Sequence, residues 1–464
     1  MSDALEKRIK KHIIGKPHRF LAVSPLGFEQ TLARELDCIL GESATELPHV
    51  TGDGKVEFTT KLTEAWKAVA ISRVANRVLM EVASFKAENF RELEKKASEI
   101  PWELYLDANV IPSRARDPVK FTNALNIHVT CKHSRLYHSD AIAERLYNVI
   151  AQSNIPQSEA SSEGKARPHT PKPDSSGDPI PQNLYVNFLD DRCTIWLDLA
   201  GEELYKRGFE RFVNDAPLKE TIASAMIFEA LHFLPSTSYS LLDLMAGSGT
   251  FSLEAACIAN KIIPGTCRDF ALKHQPAFKE ATWNFITRSV TLSETKGPVK
   301  SCNSIANIIT SDISERAVNI IKHNIECSPL AQIAPNENTP TIYPQLRDFF
   351  SYTAKEIADA CDDASPVLVL NPPYGKRLDF DAPKLYTQIG KKLTELARDL
   401  RNLGKSLTVA ILAPKDDTRD GAKYTCTANL LRECPALSTE INPTAKVVQT
   451  SHGGFSLNAF FATI

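Results

Sequence analysis

Asn371-Pro372-Pro373-Tyr374-Gly375 is the stretch of this sequence best suited to chemistry. Two successive prolines fix the backbone and withdraw two amide donors. That leaves the Asn371 side-chain oxygen and the Pro372 carbonyl as acceptors aimed at one point. An exocyclic base amine has two hydrogens to give. Held by two acceptors, its nitrogen presents electron density to an electrophilic carbon, and Tyr374 can stack on the base. The plainer alternative is a Pro-Pro turn after a buried strand. Upstream, Asp243-Leu244-Met245-Ala246-Gly247-Ser248-Gly249-Thr250 sets two glycines where a strand turns into a helix. Glycine tolerates the tight turn and lets a ligand approach the backbone, and the first amides of the helix favour an anionic group. No third glycine follows at dinucleotide spacing, which speaks against a nicotinamide cofactor. Asp312 can accept both hydroxyl hydrogens of a ribose, or can help cap the helix near Glu315. Asp348 can accept from an adenine amine with an aromatic ring, Phe349, packed on the base. Otherwise it begins a turn, with Phe349 and Phe350 in the core.

The elements that must position these groups follow from periodicity. Apolar runs at 240–244, 305–311, 341–346 and 367–370 read as strands, and the four signals fall at their ends. Helical stripes lie at 218–231, 251–259, 315–325 and 384–403, with a further strand at 407–412. A hairpin, 445–450 and 455–462, turns at His452-Gly453-Gly454. Alternating strands and helices give an α/β fold with a mostly parallel sheet, which binds ligands at the carboxyl ends of its strands. The hairpin adds one antiparallel edge strand. The N-terminal part reads as a small α+β module. It has a strand at 20–23, a helix carrying Phe28, Leu32, Leu36 and Leu40 on one face, a strand at 55–59, a helix at 62–71 and a strand at 77–85. A strand at 126–130, a helix at 139–151 and a hairpin, 184–188 and 193–199, follow. Between them, Gln152 to Gln182 is rich in Ser, Pro, Gly and Glu and has almost no large apolar residue after Ile155. It cannot bury enough surface to fold alone, so a flexible insertion is expected there. The chain is divided into a region of residues 1–214 and a domain of residues 215–464.

With 464 residues the chain has room for two or three domains. A net charge of −2 does not announce a nucleic-acid partner, so any positive potential must be local. Arg114, Arg116, Lys120, Lys132 and Arg135, with Arg145, form the candidate cluster, interleaved with His128, His133, Tyr137 and His138. Such a cluster can hold phosphates or be an ordinary solvated face. The basic leader from Lys7 to Arg19 either extends it or forms a disordered tail. No apolar run approaches membrane length and the first residues have no apolar signal core, so a cytoplasmic protein is expected. None of the ten cysteines sits at CxxC spacing, and the histidines lack ligand partners at a convincing spacing. No metal site is expected.

The stretches DLMAGSGTFSLEAA, SDISERAVNIIKHNIE and NPPYGKRL resemble the THUMP-containing class I RNA methyltransferases, in particular the amino-terminal half of the RlmL-like branch and the short YpsC-like branch. FLAVSPLGFEQTLARELD, VTCKHSRLYHSDAIAERL, IWLDLAGEELYKRGFERFVNDAPLKETIASAMI and PGTCRDFALKHQPAFKEATW extend the likeness over most of the chain outside 152–182. The resemblance implies a ferredoxin-like plus THUMP RNA-binding region ahead of a Rossmann-like domain. It implies S-adenosyl-L-methionine as cofactor, structured RNA as partner, and the N2 amine of a guanine as target. Ribosomal RNA of the large subunit comes first and tRNA second. Adenine N6 methylation is the nearest rival chemistry. A non-catalytic RNA-binding assembly factor and an NAD-dependent oxidoreductase are more distant. Residue by residue, Asp243, Gly247 and Gly249, with Ala246, Ser248 and Thr250 of the same loop, would cradle the methionine part of the cofactor. Asp312 would take its ribose and Asp348, beside Phe349, its adenine. Lys219 and Thr221 would lie near it. Asn371, Pro372 and Tyr374, around Pro373, would hold the target amine. The run Val367 to Leu370 stands where many relatives carry an acidic or small polar residue, a change expected to affect packing and not chemistry. With one such sheet, a single transfer activity is expected.

Overall fold

A computed structural model describes residues 3–107, 110, 125–153, 181–213, 217–232, 238–292, 304–333, 340–374, 381–416 and 425–464. Arg114, Arg116, Lys120 and the interior of the 152–182 stretch lie outside the described residues.

The N-terminal half runs α1 (Asp3–Ile9), β1 (Pro17–Val23), α2 (Glu29–Leu40), β2 (Glu46–Gly52), β3 (Lys55–Lys61), α3 (Leu62–Ile71), β4 (Arg77–Lys86), α4 (Phe90–Ser98), β5 (Leu125–Lys132), α5 (Ser139–Gln152), β6 (Gln182–Leu189) and β7 (Arg192–Asp198). Its sheet has the order β2-β3-β1-β4-β7-β6-β5. The first four strands with α2 and α3 are a ferredoxin-like βαββαβ unit, and β7-β6-β5 extend its sheet. Period-two burial in β3, where Val56, Phe58 and Thr60 face in, meets the α2 stripe of Leu32, Leu36 and Leu40. Asp190 and Asp191 have φ of 50° and 62°, the left-handed pair that a tight hairpin between β6 and β7 requires.

Two expectations change here. The basic leader is not a disordered tail. It forms α1 and a π-helical turn over Lys10–Ile14, with Ile9 and Ile13 buried one helical turn apart. The insertion is also shorter than its composition suggested. Gln152 ends α5 and Gln182 opens β6, fully buried, donating to the Ala271 carbonyl at 3.2 Å and accepting from Gln275.

The C-terminal half runs α6 (Glu220–His232), β8 (Ser238–Asp243), α7 (Thr250–Ala259), α8 (Glu280–Leu292), β9 (Ser304–Asp312), α9 (Glu315–Cys327), β10 (Gln345–Leu346), α10 (Ala354–Cys361), β11 (Ser365–Leu370), α11 (Ala382–Asn402), β12 (Thr408–Pro414), α12 (Cys426–Glu433), β13 (Lys446–His452) and β14 (Phe455–Thr463). The sheet order is β10-β9-β8-β11-β12-β14-β13, with every strand running one way except β14, which is antiparallel to both its neighbours, β12 and β13. One strand, β14, is therefore antiparallel as expected, but it lies inside the edge, and β13 is the edge strand. The strand expected over 341–346 pairs only at Gln345 and Leu346, because Pro340 and Pro344 have no amide to give a ladder. β12 is buried along its whole length, as a central strand covered on both faces must be.

The halves share one core cluster, to which β1, α2, α6, α7 and β14 all contribute. Gly27, at φ +83°, approaches the Gln449 carbonyl so closely that a Cβ would come within 2.2 Å of it. Phe28 meets Phe461 edge-on at 6.4 Å. Two buried carboxylates fasten the contact. Glu229 of α6 accepts from Thr31 at 2.6 Å, Arg34 and Lys446. Glu254 of α7 accepts from Arg73 at 3.1 Å, from Arg207 at 3.0 and 3.1 Å, and from Ser224 at 2.6 Å. Burial alone would raise the Glu254 carboxyl, but Arg207 and Arg73 outweigh it and hold it at about 2. Glu254→Gln leaves two buried guanidiniums short of a counter-charge, and is expected to cost about 3–5 kcal/mol, measured as a lower urea midpoint at unchanged slope. Because the folded value lies below the usual 4.5, this contribution is complete above 4.5 and is lost as pH falls through about 2. An unchanged midpoint would mean that the guanidiniums are satisfied elsewhere.

Candidate active site

Strands β8, β9 and β10 are laid down outward in one direction, and the chain then returns to β11 on the other side of β8. Between β8 and β11 the two following connections diverge to opposite sides, which opens a crevice at the carboxyl edge of the sheet. The loop 244–249 leaves β8 there, and Asn371 leaves β11. Asp312 ends β9 next door, and Asp348 lies just beyond β10. The four sequence signals therefore share one edge, in the spatial order Asp348, Asp312, glycine loop, Asn371.

The loop is shaped by its glycines. Gly247 and Gly249 have φ of 56° and 75°. A Cβ at Gly247 would meet nothing within 4 Å, whereas one at Gly249 would press on Ile321 at 3.0 Å. Gly249 is thus a packing glycine and Gly247 faces open space. The Gly247 amide donates to Asp312 Oδ2 at 2.8 Å, and the Ala246 amide to the Ser311 carbonyl at 3.1 Å, so the loop is stitched to β9. Asp312 accepts a second amide, that of Ser314, at 2.9 Å. The N-cap of α9 is Ser314, not Asp312. Ile313, beside it, is 71% exposed, an apolar side chain offered to the crevice edge.

Burial differs among the candidate residues. Asp312, Asp348, Asn371 and Tyr374 are half-buried. Asn371 Oδ1 is buried, with no hydrogen-bond partner among the described residues. Pro372 is buried, Pro373 is exposed, and Tyr374 packs edge-on against Phe455 of the terminal hairpin at 5.8 Å. Asp348 caps the short 3-10 turn Phe349–Ser351, accepting the Phe350 amide at 3.0 Å through Oδ1.

Other candidates are buried or paired within the protein. Asp243 is 1% exposed and accepts from the Ser252 amide and hydroxyl, at 3.2 and 2.7 Å, pinning α7 to β8. Phe349 is buried in the core; Phe350 is the more accessible ring. Thr221 is fully buried and donates to Asn76 of the N-terminal half at 2.8 Å. Lys219 lies over the Tyr205 ring at 4.4 Å and 3.6 Å from Glu203. Ser248 and Thr250 are buried too.

Several residues escaped the sequence reading. Asn324, fully buried on α9, donates to the Ser248 carbonyl at 3.0 Å and clamps the Phe212 backbone through both its amide and its carbonyl. Its signal was a polar residue on the apolar stripe of Ala317, Ile320 and Ile321. Arg211 pairs with Glu220 and donates to Thr250 at 3.0 Å. His452 bonds the Pro217 carbonyl at 2.8 Å, leaving Nδ1 buried and unpartnered among the described residues.

Of the proposed phosphate-binding side chains, Arg135 pairs with Glu88 and Asp191. Arg145 pairs with Glu94 over the Phe90 ring. These two arginines are therefore locally compensated. Among the described residues, no helix is long and apolar enough to cross a membrane. One group there could hold a metal ion, Glu210, His323 and Cys327, against the expectation of none. Sequence spacing hid it because Glu210 joins from a distant segment.

Burial pushes the Asp243 carboxyl up to about 7, the nearby Asp312 charge adds to this, and Ser252 pulls the other way. An acid raised from 3.8 binds more protons folded than unfolded, so its stabilisation is full below 3.8 and is lost as pH climbs to about 7. Asp243→Asn is expected to gain on the native protein over that interval, on the order of a few kcal/mol, in urea midpoints taken across it. Parallel pH profiles would place the Asp243 titration elsewhere.

Residues 207–410 match the family model described as an RMKL-like methyltransferase domain, and residues 19–79 match one described as an RlmL ferredoxin-like domain. Over 438 residues the chain is 28% identical to a Ribosomal RNA large subunit methyltransferase K/L of Allochromatium vinosum, across 92% of this chain and 52% of that protein. It is 28% identical over 383 residues to YpsC of Bacillus subtilis, named as an RNA methyltransferase, across 82% of this chain and 86% of YpsC. The chain spans about half the length of the K/L relative. A solved methyltransferase structure, complexed with SAH, superposes with a TM-score of 0.65 at 20% identity, across 96% of this chain and 98% of that one, which shows a shared fold.

Proposed function

We propose, for this member of the RMKL-like methyltransferase family with its RlmL ferredoxin-like domain, that it transfers a methyl group from S-adenosyl-L-methionine to the exocyclic N2 amine of a guanine in large-subunit ribosomal RNA, in the cytoplasm. The observation that carries this reading is Asn371 Oδ1, a buried acceptor without a donor among the described residues, at the carboxyl end of β11 and across the crevice from Gly247. A buried acceptor left unpaired costs about 1–3 kcal/mol, a cost removed when an amine hydrogen reaches it.

The residues present fit the cofactor. Gly247 opens onto space that a Cβ would enter, and Asp312 and Asp348 stand on the same side as accessible acceptors for hydroxyl and amine hydrogens. When bound, the cofactor supplies an electrophilic methyl group on sulfur. Asn371 and the Pro372 carbonyl accept the two hydrogens of the target amine and fix the direction of its lone pair. Their fixed dipoles stabilise the positive charge that grows on nitrogen. Pro372 and Pro373 hold that geometry, and Tyr374, braced by Phe455, presents a ring face to the base. Most of the acceleration then comes from placing the two reacting atoms in line. A paired base cannot enter such a crevice, so the nucleotide is flipped out or already unpaired.

The same proposal makes residues 1–214 the RNA grip and residues 215–464 the transfer domain, each with its own seven-stranded sheet. Lys132, Arg135 and the cations at 114, 116 and 120 would contact phosphates. The exposed partners of Arg135 are worth little in water, so phosphates can displace them.

Asn371→Ala is expected to lower turnover about 100- to 1000-fold while cofactor affinity, read by calorimetry, stays within about twofold. An equal loss of cofactor affinity would remove Asn371 from the amine site. Transfer from labelled cofactor to unmodified ribosomal RNA and to unmodified tRNA, with the product digested to nucleosides, checks the substrate. N2-methylguanosine from ribosomal RNA is the expected result. The same product from tRNA alone moves the target to tRNA, and N6-methyladenosine overturns the base.

A further inference from the structure

Outside the crevice, three side chains converge without a role in methyl transfer. His323 and Cys327 project from one face of α9, one helical turn apart, and Glu210 reaches them from the connector between the halves. Their ligand atoms all lie within 4.8 Å of one another, with Cys327 Sγ 3.5 Å from His323 Nε2. The neighbourhood is fixed independently. The Phe212 ring stacks on the His323 imidazole at 3.8 Å and 19°, which sets the plane of the ring. Asn324 holds the Phe212 backbone at 2.8 and 2.9 Å, so the connector is already anchored two residues from Glu210.

We propose that Glu210, His323 and Cys327 form a site for a zinc-type divalent ion, which staples the connector to α9. One imidazole nitrogen, one carboxylate and one thiolate are a ligand set for a borderline-soft ion and not for magnesium or calcium, which take oxygen. Tetrahedral ligands about 2.0–2.3 Å from zinc stand about 3.3–3.8 Å apart. The group therefore closes on an ion by rotamer shifts on the order of 1 Å, which Glu210, being exposed, can supply. Cys327 gives up its thiol proton to the solvent on binding, and the carboxylate and thiolate then balance the dication. Water takes the fourth position. The clamped segment is the one that Asn324 links to the Ser248 carbonyl of the glycine loop, so the ion stiffens the frame of the crevice without entering it. Without an ion, the alternative is a thiol–imidazole hydrogen bond beside a solvated carboxylate.

Co2+ titration of the full chain, prepared with chelator and reductant and then freed of both, tests this. One equivalent should saturate a thiolate-to-cobalt charge-transfer absorption, and Zn2+ should displace it. Cys327→Ser should abolish the band. Glu210→Gln, at an exposed position that the fold does not need, should weaken binding at least tenfold. A variant with the exposed Cys38 and Cys267 both changed to Ser should behave as the native chain. Hydrogen exchange in the connector should slow with Zn2+ in the native chain only. No saturation at one equivalent, a band that survives Cys327→Ser, or affinity unchanged by Glu210→Gln would overturn the site.

Discussion

The position of Glu254 governs both halves of the molecule. It sits in the first two turns of α7, the helix that begins at the glycine loop. From there its carboxylate binds Arg73 of the N-terminal half and Arg207 of the connector. A carboxylate at this depth is tolerable only when fully paired, so the sheets must dock in the one arrangement that brings both guanidiniums to it. Because the same helix frames the loop, docking and loop geometry are one constraint. Glu35 repeats the device on the other side. It accepts from the Ser72 hydroxyl at 2.6 Å and from the Arg73 and Val74 amides at 2.7 and 3.2 Å, which holds the segment that delivers Arg73.

On that frame the crevice is divided by strand order. The side of β10, β9 and β8 carries acceptors suited to hydroxyls and amines together with a glycine that leaves room, and the side of β11 carries Asn371 Oδ1, an acceptor unpaired among the described residues. Two ligands can thus meet end to end across the switch point, each held by a different set of strands. The terminal hairpin closes the β11 side, where Phe455 braces Tyr374 and His452 reaches the Pro217 carbonyl. The connector closes the other side, through Asn324 and the pairing of Arg211 with Glu220.

On the N-terminal sheet several arginines of the basic stretches are matched in space by carboxylates. Arg19 is shared by Glu57 and Glu81, Arg135 by Glu88 and Asp191, and Arg145 belongs to Glu94. These exposed pairs add little to stability. They lower non-specific attraction to polyanions, and a phosphate in the right place can replace the carboxylate.

Much of this was determined by the sequence alone. Period-two and period-four burial are local properties, so the helix at 62–71, the hairpin around Asp190 and Asp191, and the strand ends at Asp243, Asp312 and Asn371 could be read directly. Prolines and glycines carry their backbone rules with them, which is why the 371–374 and 246–249 stretches stood out before any fold was known. Tertiary structure decided what each polar group does. Asp243 and Thr221, named from the sequence as candidate ligand contacts, are buried and bonded to Ser252 and Asn76. Phe349 and Phe350 exchange roles according to which ring the core takes. Pro340 and Pro344 cut a strand whose apolar pattern suggested six residues down to two. The leader became a docked helix because Ile9 and Ile13 found a surface that only the folded halves supply. Glu254 with Arg73 and Arg207, Asn324 with Ser248, and Glu210 with His323 and Cys327 join segments far apart in the chain. Such pairings have no period and no local signature, and only the closing of the two sheets on each other brings them together.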